Sequence, residues 1–394
     1  MTLAVDPSRS GDGKVISLRA ITRTALYYGV AGFGGGYSVL AQLRRDLVER
    51  RAWLSSEDFL ILAELSKSLP GTPATNLLTL LGQRVHGTRG GILAACAFLL
   101  PSTILMMICG AAYSLLRSAP SITVFFDGMN AAMVGIVAAV TIDLGRSAIR
   151  SRTDFAIALI CGALLSLRVV SEPALAGGAV VVGGFAASLR SKSTTHDPGP
   201  TNRRLHGFAL LAPFAIPGGV TSIAALVRVF VPIGVLTFGG GLAMIPAIEH
   251  VVVSEQHWLD AKAFADAIAL GQITPGPIAI CATFIGYRVA GVVGALVATL
   301  AMFGPAIAVA LAAGHSVRRF RKSLVVQGAL HALAPVVIGM LASATYSLAH
   351  TGIVGVVGAI VALVSFVVLL RFPISPLWLL TAGGLVHVAE HALR

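Results

Sequence analysis

Long apolar segments constrain the fold of this chain more than any other feature. Four of them, each about twenty mostly apolar residues long, run over 90–116, 122–144, 291–314 and 352–370. As helix, such a segment crosses a hydrocarbon core of roughly 30 Å, and only helices and closed barrels can span lipid. About a dozen segments of this kind can be counted, so the sequence predicts an all-α polytopic membrane protein.

The charge distribution indicates which partners to expect. Of the 394 residues 56% are hydrophobic and 12% are charged, and the net charge is +12. The basic residues cluster in short loops, as in cytoplasmic loops of membrane proteins, and lack the aromatic interleaving of a nucleic-acid surface. We expect the lipid bilayer of the cytoplasmic (inner) membrane as a partner and no nucleic acid. The sequence leaves a homodimer open.

The chain contains an internal repeat. Phe33 and three following glycines recur as Phe238 and three glycines, 205 positions later, and the register shifts by one after the proline-glycine element. The other identical pairs include Trp53 and Trp258, Phe59 and Phe264, Pro70 and Pro275, Gly71 and Gly276, Gly82 and Gly286, Arg84 and Arg288, Gly87 and Gly291, Gly90 and Gly294, and Pro101 and Pro305. So many matches in one register predict a duplication.

The repeat divides the chain into four predicted regions. We assign 1–18 to a cytoplasmic N-terminal tail, 19–190 to a first transmembrane repeat and 206–394 to a second. Residues 191–205 between them are polar and contain two prolines, which indicates a cytoplasmic linker.

Basic loops indicate that the two repeats have opposite orientations. Arg44, Arg45, Arg50 and Arg51 follow the first glycine run, whereas the corresponding loop from Glu249 to His257 contains no Lys or Arg. Conversely, Arg117 stands alone at the end of an apolar segment whose counterpart continues into Arg318, Arg319, Arg321 and Lys322. Because basic loops stay in the cytoplasm, this pattern predicts inverted-topology repeats. Segment 206–226 would supply the additional membrane crossing that inverts the second repeat.

Each half contains two elements that should interrupt its helices. They are the glycine triplets, Gly34, Gly35, Gly36 and Gly239, Gly240, Gly241, and the proline-glycine elements, Pro70-Gly71 and Pro275-Gly276-Pro277. Proline lacks a backbone N–H and glycine accepts unusual dihedral angles, so the freed helix N-termini offer N–H donors and partial positive charge to an anion. Alternatively, these residues serve only close packing and kinks. Their duplication favours a binding site.

Two ionisable residues precede the first proline-glycine element. Glu64 and Lys67 lie three positions apart in an otherwise apolar stretch, and a charge at membrane depth is costly enough to suggest function. Lys67 is the predicted fixed cation for an oxyanion, and Glu64 is its partner or a coupling group. A purely structural ion pair is the alternative. The second half has Gln272 at the matching position and Thr274 nearby, which predicts an asymmetric site.

Further candidates lie close to the interruptions. Arg84 and Arg288 are equivalent, and a guanidinium forms paired hydrogen bonds with tetrahedral oxyanions, although arginines near helix ends also anchor at membrane interfaces. Asn76 is a donor to the ligand or to the backbone. Asp266 is a weaker candidate for proton coupling.

Two motifs that suggest other chemistry are incomplete. His387-Val388-Ala389-Glu390-His391 fits an inverted zinc-peptidase pattern, but only three residues follow and no downstream carboxylate completes the metal shell. The glycine triplets lack the Lys-Ser/Thr of a phosphate-binding loop. We therefore predict no enzyme, no catalytic residue, no metal and no cofactor, with a membrane zinc hydrolase as a remote alternative.

These motifs resemble the chromate ion transporter family in its two-domain form. The resemblance rests on the phenylalanine with three glycines, the tryptophan twenty residues later, and the stretches Gly271 to Ala279 and Thr283 to Tyr287. It covers nearly the whole chain, although the first half has Pro-Gly-Thr-Pro where the family has Pro-Gly-Pro. The resemblance implies an inner-membrane transporter that exports chromate, with sulfate as a close mimic.

The combined expectation is a secondary transporter that moves a small inorganic oxyanion, chromate first, across the cytoplasmic membrane. The alternative is a transporter or channel for another anion such as sulfate. The anion would lie between the two interrupted helices, where Lys67, backbone N–H groups, Arg84 and Arg288 offset its charge.

Overall fold

The computed structural model of the chain describes residues 16–33, 35–167, 222–236, 244–314, 324–372 and 374–393, together with isolated positions between 170 and 182. Several predicted features lie outside these residues: most of the tail 1–18, the linker 191–205, segment 206–221, Gly34, the triplet Gly239, Gly240, Gly241 and the basic loop 318–322. The described residues are helical and contain no strand, so the predicted all-α class is confirmed.

Thirteen α-helices form the described part of the chain, and local sequence signals set several of their ends. Ser17, Ser55 and Asp260 each accept a backbone N–H of the following first turn, and Pro73 begins a helix where proline is favoured. The helices are α1 (Leu18–Ala31), α2 (Gly35–Arg44), α3 (Ser56–Ser68), α4 (Pro73–Ser118), α5 (Pro120–Ala148), α6 (Arg152–Ser166), α7 (Ser222–Leu236), α8 (Ile245–Glu249), α9 (Ala261–Ile273), α10 (Cys281–Gly314), α11 (Leu324–Gly352), α12 (Gly355–Arg371) and α13 (Pro376–Leu393).

Irregular backbone recurs in the register of the sequence repeat. A π-helical turn at Arg45–Arg50 corresponds to one at His250–Glu255. Each turn is followed by a non-glycine residue with positive φ, Ala52 at 49° and His257 at 50°. Such conformations are uncommon outside glycine, so their occurrence at matching positions shows that the two halves share one fold.

Helices α4 and α10 each consist of two segments. The backbone leaves helical geometry at Gly87 (φ 64°) and Gly291 (φ 60°). Gly82 packs directly on the carbonyl of Gly90, eight positions later, so the chain reverses between them, and their counterparts in the second half make the same contact. We call the segments α4a (73–85), α4b (88–118), α10a (281–289) and α10b (292–314).

Helices α3 and α4a form a hairpin, hairpin one. Arg84 at the end of α4a pairs with Asp58 at the start of α3 (3.0 Å), and Asn76 at the start of α4a donates to the carbonyl of Ser66 at the end of α3 (3.2 Å). The two helices are therefore antiparallel. With 13 residues, α3 is about 20 Å long, so the tip at 70–72 stops inside a core of roughly 30 Å.

Helices α9 and α10a form the equivalent hairpin two, whose tip spans 274–277. A methyl group on Gly271 near the end of α9 would lie 3.1 Å from the carbonyl oxygen of Ile278, just after the tip. With 13 residues, α9 has the same length as α3. The two predicted proline-glycine interruptions are thus the tips of two helical hairpins.

The two halves pack as inverted repeats. Gly110 on α4b lies against Tyr287, and Gly314, the counterpart of Gly110, lies against Gln83, the counterpart of Tyr287. The early part of α4 therefore contacts the late part of α10, and the late part of α4 contacts the early part of α10. The two helices are thus antiparallel. Homologous segments that pack antiparallel about a pseudo-two-fold axis give inverted topology, as the loop charges predict.

The outer surface of the helices is apolar. Phe98 and Phe284 are fully buried inside, yet Leu100, Ile104 and Ile108 expose 51%, 44% and 57% of their surface at four-residue spacing along one face of α4. Lipid makes such a stripe favourable. Three stretches among the described residues are long and apolar enough to cross a membrane: Pro73–Ser118, Pro120–Arg146 and Ile278–Gly314.

The inverted topology predicts opposite labelling of the two π-helical turns. In a chain whose native cysteines are replaced, Arg50→Cys and Glu255→Cys should react with a membrane-impermeant maleimide from opposite sides. Because basic loops stay in the cytoplasm, Arg50→Cys should react in everted vesicles and Glu255→Cys in intact cells. Reaction of both positions from the same side would contradict the inversion.

Candidate functional site

The tips of both hairpins pack on the opposite half at equivalent places. Gly71 (φ 98°) and Gly276 (φ 110°) have left-handed dihedral angles, which favour glycine. A methyl group on Gly71 would lie 2.5 Å from Cβ of Ala306, and one on Gly276 would lie 3.1 Å from Oγ of Ser102. Since Ala306 and Ser102 are themselves equivalent in the repeat, the tips and the two long helices form a pseudo-symmetric centre.

The first glycine run lies beside tip two. The backbone N–H of Gly276 donates to the carbonyl of Gly32 (3.0 Å), two residues before the predicted triplet. Gly35 and Gly36 are the first residues of α2, where helical N–H groups have no intrahelical acceptor. The structure therefore brings the glycine run of half one close to the proline-glycine element of half two.

Tip one carries a buried polar cluster. The hydroxyls of Thr72 and Thr75 share a hydrogen bond of 2.7 Å, and Asn76 Nδ2 donates to the carbonyl of Pro70 (2.8 Å). Asn76 Oδ1 is buried and has no hydrogen-bond partner. Thr72 precedes α4 without a capping hydrogen bond from its side chain. Sequence reasoning missed both threonines, although the extra residue of Pro-Gly-Thr-Pro was a signal.

Tip two lacks this polar cluster. After Pro277 the chain continues into the buried apolar turn Ile278–Ile280, where half one has Ala74, Thr75 and Asn76. Thr274 donates to the carbonyl of Leu270 (2.7 Å), and Gln272 Nε2 lies 3.8 Å from Met133 Sδ. The buried polar side chains are therefore concentrated at tip one.

Lys67 and Glu64 pair with each other beside tip one. Lys67 Nζ lies 3.1 Å from Glu64 Oε1, and the two side chains are 38% and 61% exposed. Lys67 belongs to the last turn of α3, directly before the tip. This geometry fits both the functional hypothesis and the structural ion pair.

Arg84 and Arg288 lie at the bases of the two hairpins. Arg84 pairs with Asp58, but the position equivalent to Asp58 in half two is Ala263. Arg288 instead donates to Ser114 Oγ (3.1 Å) and lies 5.5 Å from the ring centre of Tyr113. The base of each hairpin, where its first helix begins and its second helix ends, is roughly 15 Å or more from the tip along α4a or α10a. The structure therefore brings neither arginine to a tip.

A buried charged network joins the halves away from the tips. Asp266 on α9 is fully buried and accepts hydrogen bonds from Tyr113 Oη (2.6 Å), Arg117 Nε (2.8 Å) and Asn130 Nδ2 (2.8 Å). Burying a carboxylate is costly unless it is paired and hydrogen-bonded, and here both conditions hold. Of these residues only Asp266 was predicted. The sequence signal that could have pointed to this network was Arg117, which stands alone at the end of an apolar segment.

The terminal histidine motif lies on α13. His387 is buried beside Gly128 and Gly358. Among the described residues, no group of three or more His, Cys, Asp or Glu side chains could hold a metal ion.

Comparisons with known proteins agree with the two-fold architecture. The chromate transporter family model matches residues 19–187 and 224–388, once in each half. The chain is 29% identical to the chromate transport protein of Cupriavidus metallidurans over 96% of this chain and 94% of that protein. It is 33% identical to a probable chromate transport protein of Synechococcus elongatus over 73% and 74% of the two chains. It is also 28% identical to a chromate transport protein of Pseudomonas aeruginosa over 82% and 79%.

No solved structure matches this chain. The family assignment therefore rests on the sequence, where the family model covers most of both repeats, and the duplicated hairpin architecture agrees with a model that matches twice. This chain belongs to the chromate transporter family.

Proposed function

We propose that this chain exports chromate across the cytoplasmic membrane as a secondary transporter. The observation that carries the proposal is the reciprocal packing of the tips, Gly71 on Ala306 and Gly276 on Ser102. Because each tip rests on the other half, rocking one half against the other alters both tips at once. Such coupled movement of both tips fits alternating access, in which one inverted repeat rocks against the other around a central site. The names of the relatives support chromate as the substrate.

Tip one supplies the strongest donors for the anion. The first N–H groups of α4a have no intrahelical acceptor and carry partial positive charge, and the hydroxyls of Thr72 and Thr75 lie beside them. Lys67 is the proposed fixed cation, released from Glu64 when the anion enters. The other proposed binding residues are Gly34, Gly35, Gly36, Gly239, Gly240, Gly241, Pro70, Gly71, Pro275, Gly276, Pro277, Asn76, Gln272 and Thr274. Arg84 and Arg288, at the hairpin bases, would offset the charge of the anion from a distance without contacting it at the tips. Glu64 and Asp266 are the proposed coupling groups.

The membrane potential favours the proposed direction. A dianion that leaves a compartment with an inside-negative potential lowers its free energy by about 2.3 kcal/mol per charge per 100 mV. An ion gradient or this potential would therefore drive export. Tetrahedral dianions share shape and charge, so helix-terminus donors would discriminate weakly among them, and sulfate is the expected competitor.

The test is uptake of radiolabelled chromate into everted membrane vesicles that contain the full chain. We expect saturable uptake that excess sulfate inhibits and that exceeds uptake by vesicles without the protein. Collapsing the proton gradient in parallel shows whether protons contribute. Flux that rises linearly with concentration would indicate a channel instead, and uptake equal to the empty control would overturn the proposal.

A further inference from the structure

One carboxylate occupies a complete set of oxyanion donors. Asp266 Oδ2 accepts from Tyr113 Oη (2.6 Å), from Arg117 Nε (2.8 Å) and also from Arg117 Nη2, while Oδ1 accepts from Asn130 Nδ2 (2.8 Å). All the donors belong to half one, on α4b and α5, whereas the carboxylate belongs to hairpin two. One half therefore builds an anion site, and the other half supplies the anion that fills it.

The donor set suits oxyanions in general. A guanidinium binds oxyanions through paired N–H groups, and Arg117 is held in place by the ring of Phe126, 5.2 Å from its central carbon. The phenol and the amide add two more directed donors. A tetrahedral dianion would bring two charges where Asp266 brings one, so its Coulomb attraction to Arg117 is stronger in this buried site.

We infer that Tyr113, Arg117 and Asn130 form a second binding site for the transported oxyanion, and that Asp266 is a tethered competitor that closes it. The inference rests on the proposed function only in assigning this site to the transport path. Thr274 at tip two lies eight positions after Asp266, about 12 Å along the helix. Because Arg117 stands at the non-basic end of α4, the site lies towards the outer side of the membrane.

The displaced carboxylate has another partner within reach. Lys262 lies one turn before Asp266 on α9, a spacing at which opposite charges meet on a helix face. In this structure Lys262 pairs with Asp127 (2.9 Å), which also lies 3.5 Å from Arg117. Asp266 can therefore exchange Arg117 for Lys262 without becoming an unpaired buried charge.

The competitor exists in one half only. Ile61 occupies the position in hairpin one that corresponds to Asp266, so hairpin one cannot close an equivalent site with a carboxylate. We call Asp266 in its donor set the latch. Because the latch occurs in one half only, the outer side and the cytoplasmic side of the transporter close by different means.

The test measures binding of sulfate and of molybdate to the purified full chain by isothermal titration calorimetry. Asp266→Asn keeps the size of the side chain and removes the competing charge, so we expect the dissociation constant to fall by about fivefold or more. Asp143→Asn is the control, since it removes an exposed carboxylate of α5 that lies outside the donor set, and should change affinity much less. Adding Tyr113→Phe to Asp266→Asn should abolish most of the gain.

Unchanged affinity in a folded Asp266→Asn variant, or a gain that survives Tyr113→Phe, would overturn the inference. A measurement on the unmodified chain covers the case in which the variant does not fold. Hydrogen–deuterium exchange of 261–267 should rise when sulfate is added, because Asp266 leaves the donor set. Unchanged exchange would contradict the inference. Neither readout uses chromate uptake. Failure of the latch is therefore distinguishable from failure of the proposed export.

Discussion

Gly71→Ala is expected to reduce chromate uptake by about tenfold or more, with the chain still inserted in the membrane. A φ of 98° strains any residue that carries a β-carbon by about 1–2 kcal/mol. The new methyl group would also lie 2.5 Å from Cβ of Ala306, which forces tip one away from the opposite half. Uptake into everted vesicles, normalised to the amount of inserted protein, measures the effect.

A second change should separate the contact from the strain. Ala306→Gly removes the atom that the new methyl group meets, so the double variant should recover part of the uptake. Gly87→Ala is the matched control, because Gly87 also has positive φ (64°) but has no atom within 4 Å of an added methyl group. Equal losses in Gly71→Ala and Gly87→Ala, or no recovery in the double variant, would refute the role of tip packing.

Arg117→Met is expected to destabilise the protein by about 3–5 kcal/mol. In its present position the fully buried Asp266 carboxylate would keep only the neutral donors Tyr113 and Asn130. Moving to Lys262 instead would cost it both donors and would break the pair of Lys262 with Asp127. A buried charge without a counter-charge is far less stable than a paired one. The midpoint of thermal unfolding in detergent and the yield of inserted protein measure the loss.

The double variant Arg117→Met with Asp266→Asn should recover most of that stability, since neither charge remains buried alone. Arg146→Met serves as the control. It removes an exposed arginine in the last turn of α5, and surface substitutions away from buried networks usually change stability by about 0.5 kcal/mol or less. If the double variant is as unstable as Arg117→Met, the ion pair is not the source of the loss.

The two halves differ in the polar and charged residues at their tips and in the network around Asp266. Half one holds the polar tip with Thr72, Thr75 and Asn76, and it also builds the donor set around Arg117. Half two contributes a tip without this polar cluster, together with the Asp266 carboxylate. An inverted repeat begins with two equivalent sides, so this division of roles gives transport a distinct inner and outer side.

The sequence by itself determined the helical class, the duplication, the inversion and the positions of the helix interruptions. These properties depend on local physics. Apolar length decides what can cross lipid, loop charge decides which side a loop takes, and glycine and proline decide where a helix can continue. Pro70-Gly71 and Pro275-Gly276 could therefore be recognised as special without any knowledge of their neighbours.

Only the tertiary structure decided what the special residues contact. It placed the proline-glycine interruptions at hairpin tips and paired Arg84 with Asp58 at a hairpin base. It also joined Arg117 to Asp266, which lies 149 positions away. No local pattern links residues so far apart, because their contact follows from the antiparallel packing of two halves. Long-range packing thus selected Asp266 from among the predicted charges and revealed Arg117 as its partner.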